Sequence, residues 1–592
     1  MNRAIAILGP FLLFVCTTHG EDTDMKTARV CAVTQSWVKG DRTLKHVLTM
    51  LDEAAVQRVD VVCLPEDCVP TDGGDDAGAA LDAIAAKAKA SKMHVAACLK
   101  EREGDNLYAT SYLIGPDGKM IGTYRKSHRL PYEDIALGDK LPVFNTKLGK
   151  VGLMIGTDHY WPEVPLVLAL KGAELILWSH SPEPVPQGFP LEIVSRVRAI
   201  DNHVTLVRSG YAGDLPYLCS NYPRYTGIPV GHGCVIDRSG IVAADTGIRP
   251  GVAVAQIDLK RRKDIYHLTF GEDRELFRYL VDPKLRPLVH KGKKRKIKVS
   301  VASVLSGNQP NPDPKSDFMK TLDDACRQRP DIIVMSEFGF DTDTDVAKTT
   351  FALIAEKAKK YKTYIIIGGL RDPERPYSPK KRASWAYIWG RGGKIVGKYR
   401  ISQYGKSVEL PVFKTDFGVI GLILCGDIYS PEICRALALQ VAEIILCGSQ
   451  SWGASGQFNL WMQQARAIDN CVFMATAHFP MSEISQRSYV IDPYGYILAA
   501  SRYWCNSVCT AEVDLDAGRV WFVPSDKPGH AGKEGYLAGY YPKTIPEKRT
   551  DFRSVLFAQR RPELYGPIIE KTLAGRAATG ATQKKMSNPR KD

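Results

Sequence analysis

Four side chains in this chain are of the types that would break an unactivated carbon–nitrogen bond, and they fall into two separate pairs. Cys425, in the apolar run LILCGD, and Glu337, closing the run DIIVMSE, make a thiol–carboxylate pair. Glu66, closing VDVVCLPE, and Lys126, ending GTYRK, make a carboxylate–ammonium pair. Attack on an amide or nitrile needs a nucleophile, a proton carrier and a group that holds the charge developing on the attacked atom. A free thiol with a pKa of about 8.5 is mostly protonated at neutrality. A neighbouring carboxylate can take that proton and later deliver it to the departing nitrogen. An ammonium aimed at the tetrahedral intermediate adds an electrostatic contribution of about 3–4 kcal/mol, by the scale of single-donor removal in comparable sites.

The two pairs occupy two copies of one repeated segment. LPVFNTKLGKVGLMIGTDHYWPEVPLVLALKGAELILW from Leu141 recurs from Leu410 as LPVFKTDFGVIGLILCGDIYSPEICRALALQVAEIILC. The match extends outward: IGTYRK answers VGKYRI, RVRAIDN at 196–202 answers QARAIDN at 464–470, and VIDRSGIVAA answers VIDPYGYILAA. A period this long marks a tandem duplication of a whole domain. Within that alignment Gly156 stands where the second copy has Cys425, and Ile401 stands where the first has Lys126.

The order of these residues, Glu at a strand end, Lys after Gly-x-Tyr-Arg and Cys before x-Asp, resembles the carbon-nitrogen hydrolase (nitrilase) superfamily and its Glu-Lys-Cys triad. RRPELYGP at 560–567 is similar to the tail motif of amidases in that superfamily. The resemblance covers nearly all of the chain after its N-terminal leader. It implies a thiol attack, loss of ammonia or amine, a thioester and its hydrolysis, with no cofactor and no metal. It also implies an α/β fold of two tandem four-layer α-β-β-α sandwiches, paired through a helical face as an intramolecular pseudo-dimer, and leaves a higher homo-oligomer open.

Under this resemblance neither triad is complete. The first copy offers Glu66, Lys126 and, in RLPYED, Glu133 as the family's second glutamate, but Gly156 carries no nucleophile. Thr157 and Ser127 are nearby hydroxyls, off the motif position and weaker as nucleophiles. Glu66 has a purely structural alternative, a strand-end carboxylate satisfied by Lys126. The second copy offers Glu337 and Cys425. Its loop YRISQYGKSVELPVF is shorter than YRKSHRLPYEDIALGDKLPVF and omits the second glutamate, leaving Lys406 or Arg400 as stand-in cations off the motif position. Cys425 has its own structural alternative, one more buried strand cysteine like Cys447. Sharing Lys126 with Cys425 would carry side chains across a whole layer and is not expected.

The elements that must position these residues follow from periodicity. Short β-branched runs (RVCAVTQ, VDVVCLP, MHVAACL) alternate with helical stretches at Thr43–Gln57 and Gly78–Ser91, which predicts helices outside buried sheets. Gly115–Gly118, Asp237–Gly240 and Asp492–Gly495 read as hairpin turns. The expected organisation is a signal peptide at 1–20, a first domain at 26–289 ending in a helical tail around GEDRELFRYL, a basic linker at 290–296, a second domain at 297–570 and a basic disordered tail at 571–592.

At 592 residues the chain is too long for one core. Met1 to Gly20 has a basic start, an apolar run and small residues before a cleavage point, so export is expected, to the periplasm or outside the cell; a start at Met25 would instead give a cytoplasmic protein. The fourteen cysteines are spread singly through apolar runs and lack zinc spacing, so most are expected to act as small buried hydrophobes. The net charge of +14 concentrates in the linker and tail without interleaved aromatics. That pattern argues against nucleic-acid binding and leaves peripheral contact with an anionic membrane surface as a further role for those segments.

Three functions are consistent with these residues. The first is amidase-type hydrolysis of a small amide or nitrile by the second domain, with the first domain as a structural partner. The second is an inactive tandem pseudoenzyme binding a small amide or carboxylate ligand, with Lys126, Glu66 and a glycine-enlarged pocket suiting an anion. The third is acyl transfer to an amine, disfavoured because no long apolar run follows the leader. Tyr429, Trp452 and Trp461 are candidates for either pocket or core.

Overall fold

The computed structural model describes residues 27–569 apart from 37–42, 72, 131–132, 182–190, 213–231, 248, 260–277, 286–294, 305–310, 343, 372–383, 402–408, 450–455, 480–486, 517–519 and 524–547. The expected signal peptide, the basic tail, most of the linker, most of the helical tail before it, Lys406 and Trp452 lie outside the described residues. No helix among the described residues is long and apolar enough to cross a membrane.

Among the described residues each copy builds two six-stranded sheets stacked face to face, and the second adds a two-stranded ribbon of Val520–Val523 and Lys548–Asp551. In the first, one sheet runs Met120–Arg125, Asn106–Ile114, His94–Glu103, Val61–Cys63, Thr27–Ser36 and Gly251–Asp258. The other contains Val143–Thr146, Gly149–Ile155, Leu175–Ser179, Thr205–Ala212, Cys234–Ile236 and Val242–Asp245. The two sheets join where Thr34 pairs with Gly210 in parallel register. The second copy repeats the plan as two separate sheets, the inner parallel strands being Lys296–Ser303, Ile332–Asp341 and Tyr364–Arg371 in one and Val419–Leu424, Ile444–Ser449 and Phe473–His478 in the other. Strands covered on both sides read as continuous apolar runs, which is why Leu175–Ser179 and Ile444–Ser449 are buried at every position.

Helices cover both outer faces, completing the four-layer α-β-β-α arrangement in each copy. On the solvent side, Asp75–Ser91 and Asp345–Tyr361 are amphipathic, burying Ala77, Ala80, Ile84 and Ala88 in one and Ala347, Thr350, Ile354 and Ala358 in the other. Leu44–Val56 begins at Thr43, whose side chain accepts from His46 N. The three glycine turns form as expected, with Gly118, Gly240 and Gly495 each donating back to the residue three positions earlier. The linker is shorter than 290–296 at its C-terminal end. Lys296 opens a strand, and Arg295 is paired with Glu443 at 2.6 Å and Asp516 at 2.7 Å.

The helices on the opposite face of each sandwich are different in kind. All eight residues of Glu163–Leu170 and all nine of Pro431–Leu439 are buried, because the two copies pack together through this layer. Buried residues from both form one continuous core, flanked by a separate outer core in each copy. Across this interface helix Leu191–Asn202 meets helix Gly456–Asn470 through two reciprocal bidentate ion pairs. Arg198 grips Asp469 at 2.9 and 2.5 Å, and Arg466 grips Asp201 at 2.7 and 2.8 Å. Arg198/Arg466 and Asp201/Asp469 are the repeated RAID residues, so the pairing is isologous, as at a two-fold axis. The internal pair thus uses one patch twice.

The C-terminal segment of the second copy reaches back onto the first. Tyr565 hydroxyl bonds His128 Nε2 at 2.7 Å, across 437 residues of chain. Arg561 donates to the Ser127 and Gly138 carbonyls at 3.1 and 3.3 Å, and Trp161 Nε1 donates to Leu556 O at 3.0 Å.

Candidate active site

The nucleophile position in both copies sits where an inner strand turns abruptly into a short 3-10 helix, Gly156–Tyr160 or Cys425–Tyr429. Gly156 has φ +44° and Cys425 has φ +42°, so the backbones agree although one residue has no side chain. Each turn is pinned by an aspartate two residues on. Asp158 Oδ2 accepts from Tyr124 hydroxyl at 2.7 Å and from Ile155 N at 2.9 Å, and Asp427 Oδ2 accepts from Tyr399 hydroxyl and Leu424 N at the same distances. These are the Tyr of each YR pair, which explains why that motif accompanies the site. Burial pushes the Asp158 carboxyl up to about 7, against the opposing pull of Lys126 and the hydrogen bonds it accepts.

In the first copy the charged group is assembled but turned inward. Lys126, fully buried, donates to Glu66 Oε1 at 3.1 Å and to Glu133. Ser181 donates to Glu66 Oε2 at 2.6 Å, while Thr157 hydroxyl and Leu130 N each hold Glu133 Oε2 at 2.7 Å. Thr157 is thus a ligand of Glu133, and Ser127 bonds Tyr124 and His128. Two carboxylates face one ammonium, so the cluster does not suit an anion. Nor does the glycine leave room for one: a Cβ built on Gly156 would lie 2.2 Å from Glu66 Oε2 and 2.6 Å from Lys126 Nζ. The expected anion pocket is therefore corrected, because the charged side chains already fill the space beside the glycine. Lys126 is engaged by carboxylates of its own domain, which leaves it no role beside Cys425. For the same steric reason Gly156→Cys is expected to destabilise the first domain by about 1–3 kcal/mol, from left-handed strain and forced displacement of buried side chains. Urea titration of that variant against the parent protein measures this.

In the second copy the apolar substitution is complete. Ile401 is buried in the core, 2% exposed. Its alignment with Lys126 is fixed by backbone register: Lys126 N bonds Ala109 O at 2.9 Å, and Ile401 N bonds Ser384 O at 2.8 Å. Glu337, also buried, accepts a hydrogen bond from Ser384 hydroxyl at 2.9 Å. Arg400 is half-buried on a strand edge opposite Trp385.

The cysteines divide clearly. Of twelve described, none forms a disulfide and ten are buried. Cys447 is one of these, its thiol pushed well up by burial, with Cys425, Asp427, Cys434 and Glu337 reinforcing the shift. Cys425 is partly exposed, and among the described cysteines only it combines solvent access with a left-handed backbone. No group of three or more metal-ligating side chains occurs among the described residues.

Two further features were missed by sequence reasoning. Arg466, besides gripping Asp201, donates to the Ile428 carbonyl at 3.0 and 3.1 Å, so the domain interface braces the Cys425 turn directly. Arg198 does the same for the first copy through His159 O at 2.7 Å. Trp461, considered as a pocket residue, lies under the Arg196 guanidinium at 4.6 Å and belongs to the domain interface. Tyr429 lies beside Phe458, ring centroids 6.4 Å apart.

Comparison with known proteins places these paired sandwiches in a family. The carbon-nitrogen hydrolase family model matches residues 27–266 and again 319–521, and the chain belongs to that family. Omega-amidase NIT2 of Mus musculus is 26% identical over 251 residues, 39% of this chain and 87% of the relative. Omega-amidase NIT3 of Saccharomyces cerevisiae is 29% identical over 165 residues, 26% of this chain and 54% of the relative. Among solved structures, Saccharomyces cerevisiae Nit3 is 24% identical with a TM-score of 0.35, covering 40% of this chain and 91% of its own. A carbon-nitrogen hydrolase from Helicobacter pylori is 20% identical with a TM-score of 0.37, covering 41% and 93%.

Proposed function

We propose that the second domain hydrolyses a small non-peptide amide through Cys425, and that the first domain is its built-in structural partner. The observation that carries this is the backbone of Cys425. A left-handed φ costs a non-glycine residue of order 1–3 kcal/mol, and the equivalent position of the first domain holds glycine without altering the turn. Cys471 shares the left-handed φ but is buried, whereas Cys425 holds that conformation with its side chain open to solvent, where a thiol can react. The omega-amidases among the relatives support a small amide as the substrate class.

In this reading Cys425 Sγ attacks the carbonyl carbon while Glu337 takes the thiol proton. Glu337 returns that proton to the nitrogen as the C–N bond breaks, and ammonia or amine leaves. Water then attacks the thioester, Glu337 accepts its proton, and the carboxylic acid departs as the thiol is re-formed. With Ile401 in place of lysine, the developing oxyanion lacks the family's ammonium, so turnover is slower than in a complete triad by an amount on the scale of one lost donor, about 10²–10³-fold.

The test needs no substrate. Alkylation of every cysteine against pH, read by peptide mass spectrometry, is expected to show Cys425 reacting well ahead of the buried cysteines. If Cys425 is as inert as Cys447 in the folded protein, the catalytic reading fails and ligand binding becomes the better account.

A further inference from the structure

The loss of Lys126's counterpart is accompanied by a second substitution that neither motif contains. Strand register makes Ala109 the equivalent of Ser384, since each offers its carbonyl to the residue at the lysine position. It likewise makes Thr110 and Arg125 the equivalents of Trp385 and Arg400, which face each other across their hairpins. In the first domain, position 126 supplies the group that holds the strand-end glutamate, and the facing alanine supplies nothing. In the second, position 401 supplies only apolar bulk, and the facing residue supplies a hydroxyl 2.9 Å from Glu337 Oε1. One donor to the glutamate thus comes from position 126 in the first domain and from the facing strand in the second.

We propose that Ser384 is the positioning residue of Glu337, taking over from the missing lysine the task of orienting the carboxylate that serves Cys425. This rests on the reading of the second domain as a Cys425 centre. A hydroxyl can do half of the lysine's work. Its donated hydrogen bond fixes one carboxylate oxygen and thereby the direction of the other, as Lys126 and Ser181 do for Glu66. It brings no positive charge, so it does not replace the lysine at the oxyanion. The exchange also fits the burial of the site. Ile401 completes the core without a charge to solvate, and a serine on the facing strand is already within reach of the carboxylate.

The test compares the full-length protein with S384A, S384T, I401K and the double variant S384A/I401K, which recreates the alanine–lysine pair of the first domain. The readouts are the iodoacetamide alkylation rate of Cys425 against pH and the thermal midpoint. S384A is expected to slow Cys425 alkylation at neutral pH roughly tenfold, the scale of one hydrogen bond to a charged group, and to shift its pH midpoint from that of the parent. S384T and S384A/I401K are expected to restore both, while the thermal midpoint tracks neither. If the parent Cys425 is activated and S384A leaves its pH profile unchanged, the inference is overturned and the catalytic reading stands. If S384A only lowers the thermal midpoint and S384T does not restore the profile, Ser384 is structural and the inference is again overturned. A parent Cys425 with the profile of a free thiol overturns both.

Discussion

Cys425→Gly is expected to abolish hydrolysis and at the same time make the protein more stable. The two effects have one cause. At φ +42° the cysteine Cβ is held in a region that L-residues rarely occupy. Glycine removes that penalty and gives up the packing of one half-buried side chain against the core. The net gain in the unfolding free energy of the second domain is about 1 kcal/mol after allowing for the greater flexibility of glycine in the unfolded chain. Turnover is expected to fall on the order of 10⁴-fold or more, as when a nucleophile is removed from a hydrolase that acts through a covalent intermediate. Cys425→Ala separates the terms, losing the same activity without relieving the backbone. Kinetic assay on a short aliphatic amide, paired with urea unfolding of both variants, checks the pattern. Retained turnover in either variant would remove Cys425 as nucleophile, and a glycine variant less stable than the alanine one would remove the strain argument.

Arg466→Ala carries the largest expected cost in stability. Its guanidinium is fully buried and bonded to both oxygens of Asp201, so truncation strands a buried carboxylate, typically at about 3–5 kcal/mol. The same change removes two donors from the Ile428 carbonyl inside the Cys425 turn. Arg198→Ala breaks the mirror-image pair, with a comparable stability cost, but its second contact is with His159 in the first domain. The two variants are therefore expected to look alike in denaturant and unlike in chemistry, with only Arg466→Ala also lowering Cys425 reactivity. Equal losses of reactivity in both would mean that the interface acts on the site through global stability alone. Asp201→Ala added to Arg466→Ala is expected to recover part of the lost stability, because the stranded charge is then gone.

Much of this architecture is legible in the sequence, for reasons that particular residues make plain. The duplication aligns Lys126 with Ile401 and Gly156 with Cys425, and the hairpin hydrogen bonds and matching φ angles place both pairs at equivalent positions. The solvent-side helices are legible because they bury a single stripe, as in Ala347, Thr350, Ile354 and Ala358. Glu163–Leu170 hides its role, since a helix buried on all sides has no stripe to read. The RAID repeat shows that its residues recur, but each Arg–Asp pair is made with the other copy's helix, so its meaning depends on a symmetry that no linear pattern contains. Ser384 is invisible for a related reason. It lies 47 residues from Glu337 and is an ordinary strand serine until the register of the hairpin sets it opposite Ile401.

The contact between Tyr565 and His128 imposes an order on how the protein is made. The ribosome adds about 5–20 residues per second, so the 437 residues between the two partners correspond to roughly 20–90 s of synthesis. In the later part of that interval, once Asp258 has been made, the first sandwich stands with Trp161 and the apolar helix Glu163–Leu170 not yet covered by the second copy, and His128 Nε2 still lacks Tyr565. A nascent chain in that state presents the kind of sticky surface that chaperones bind, and it is relieved only when the second sandwich folds onto it.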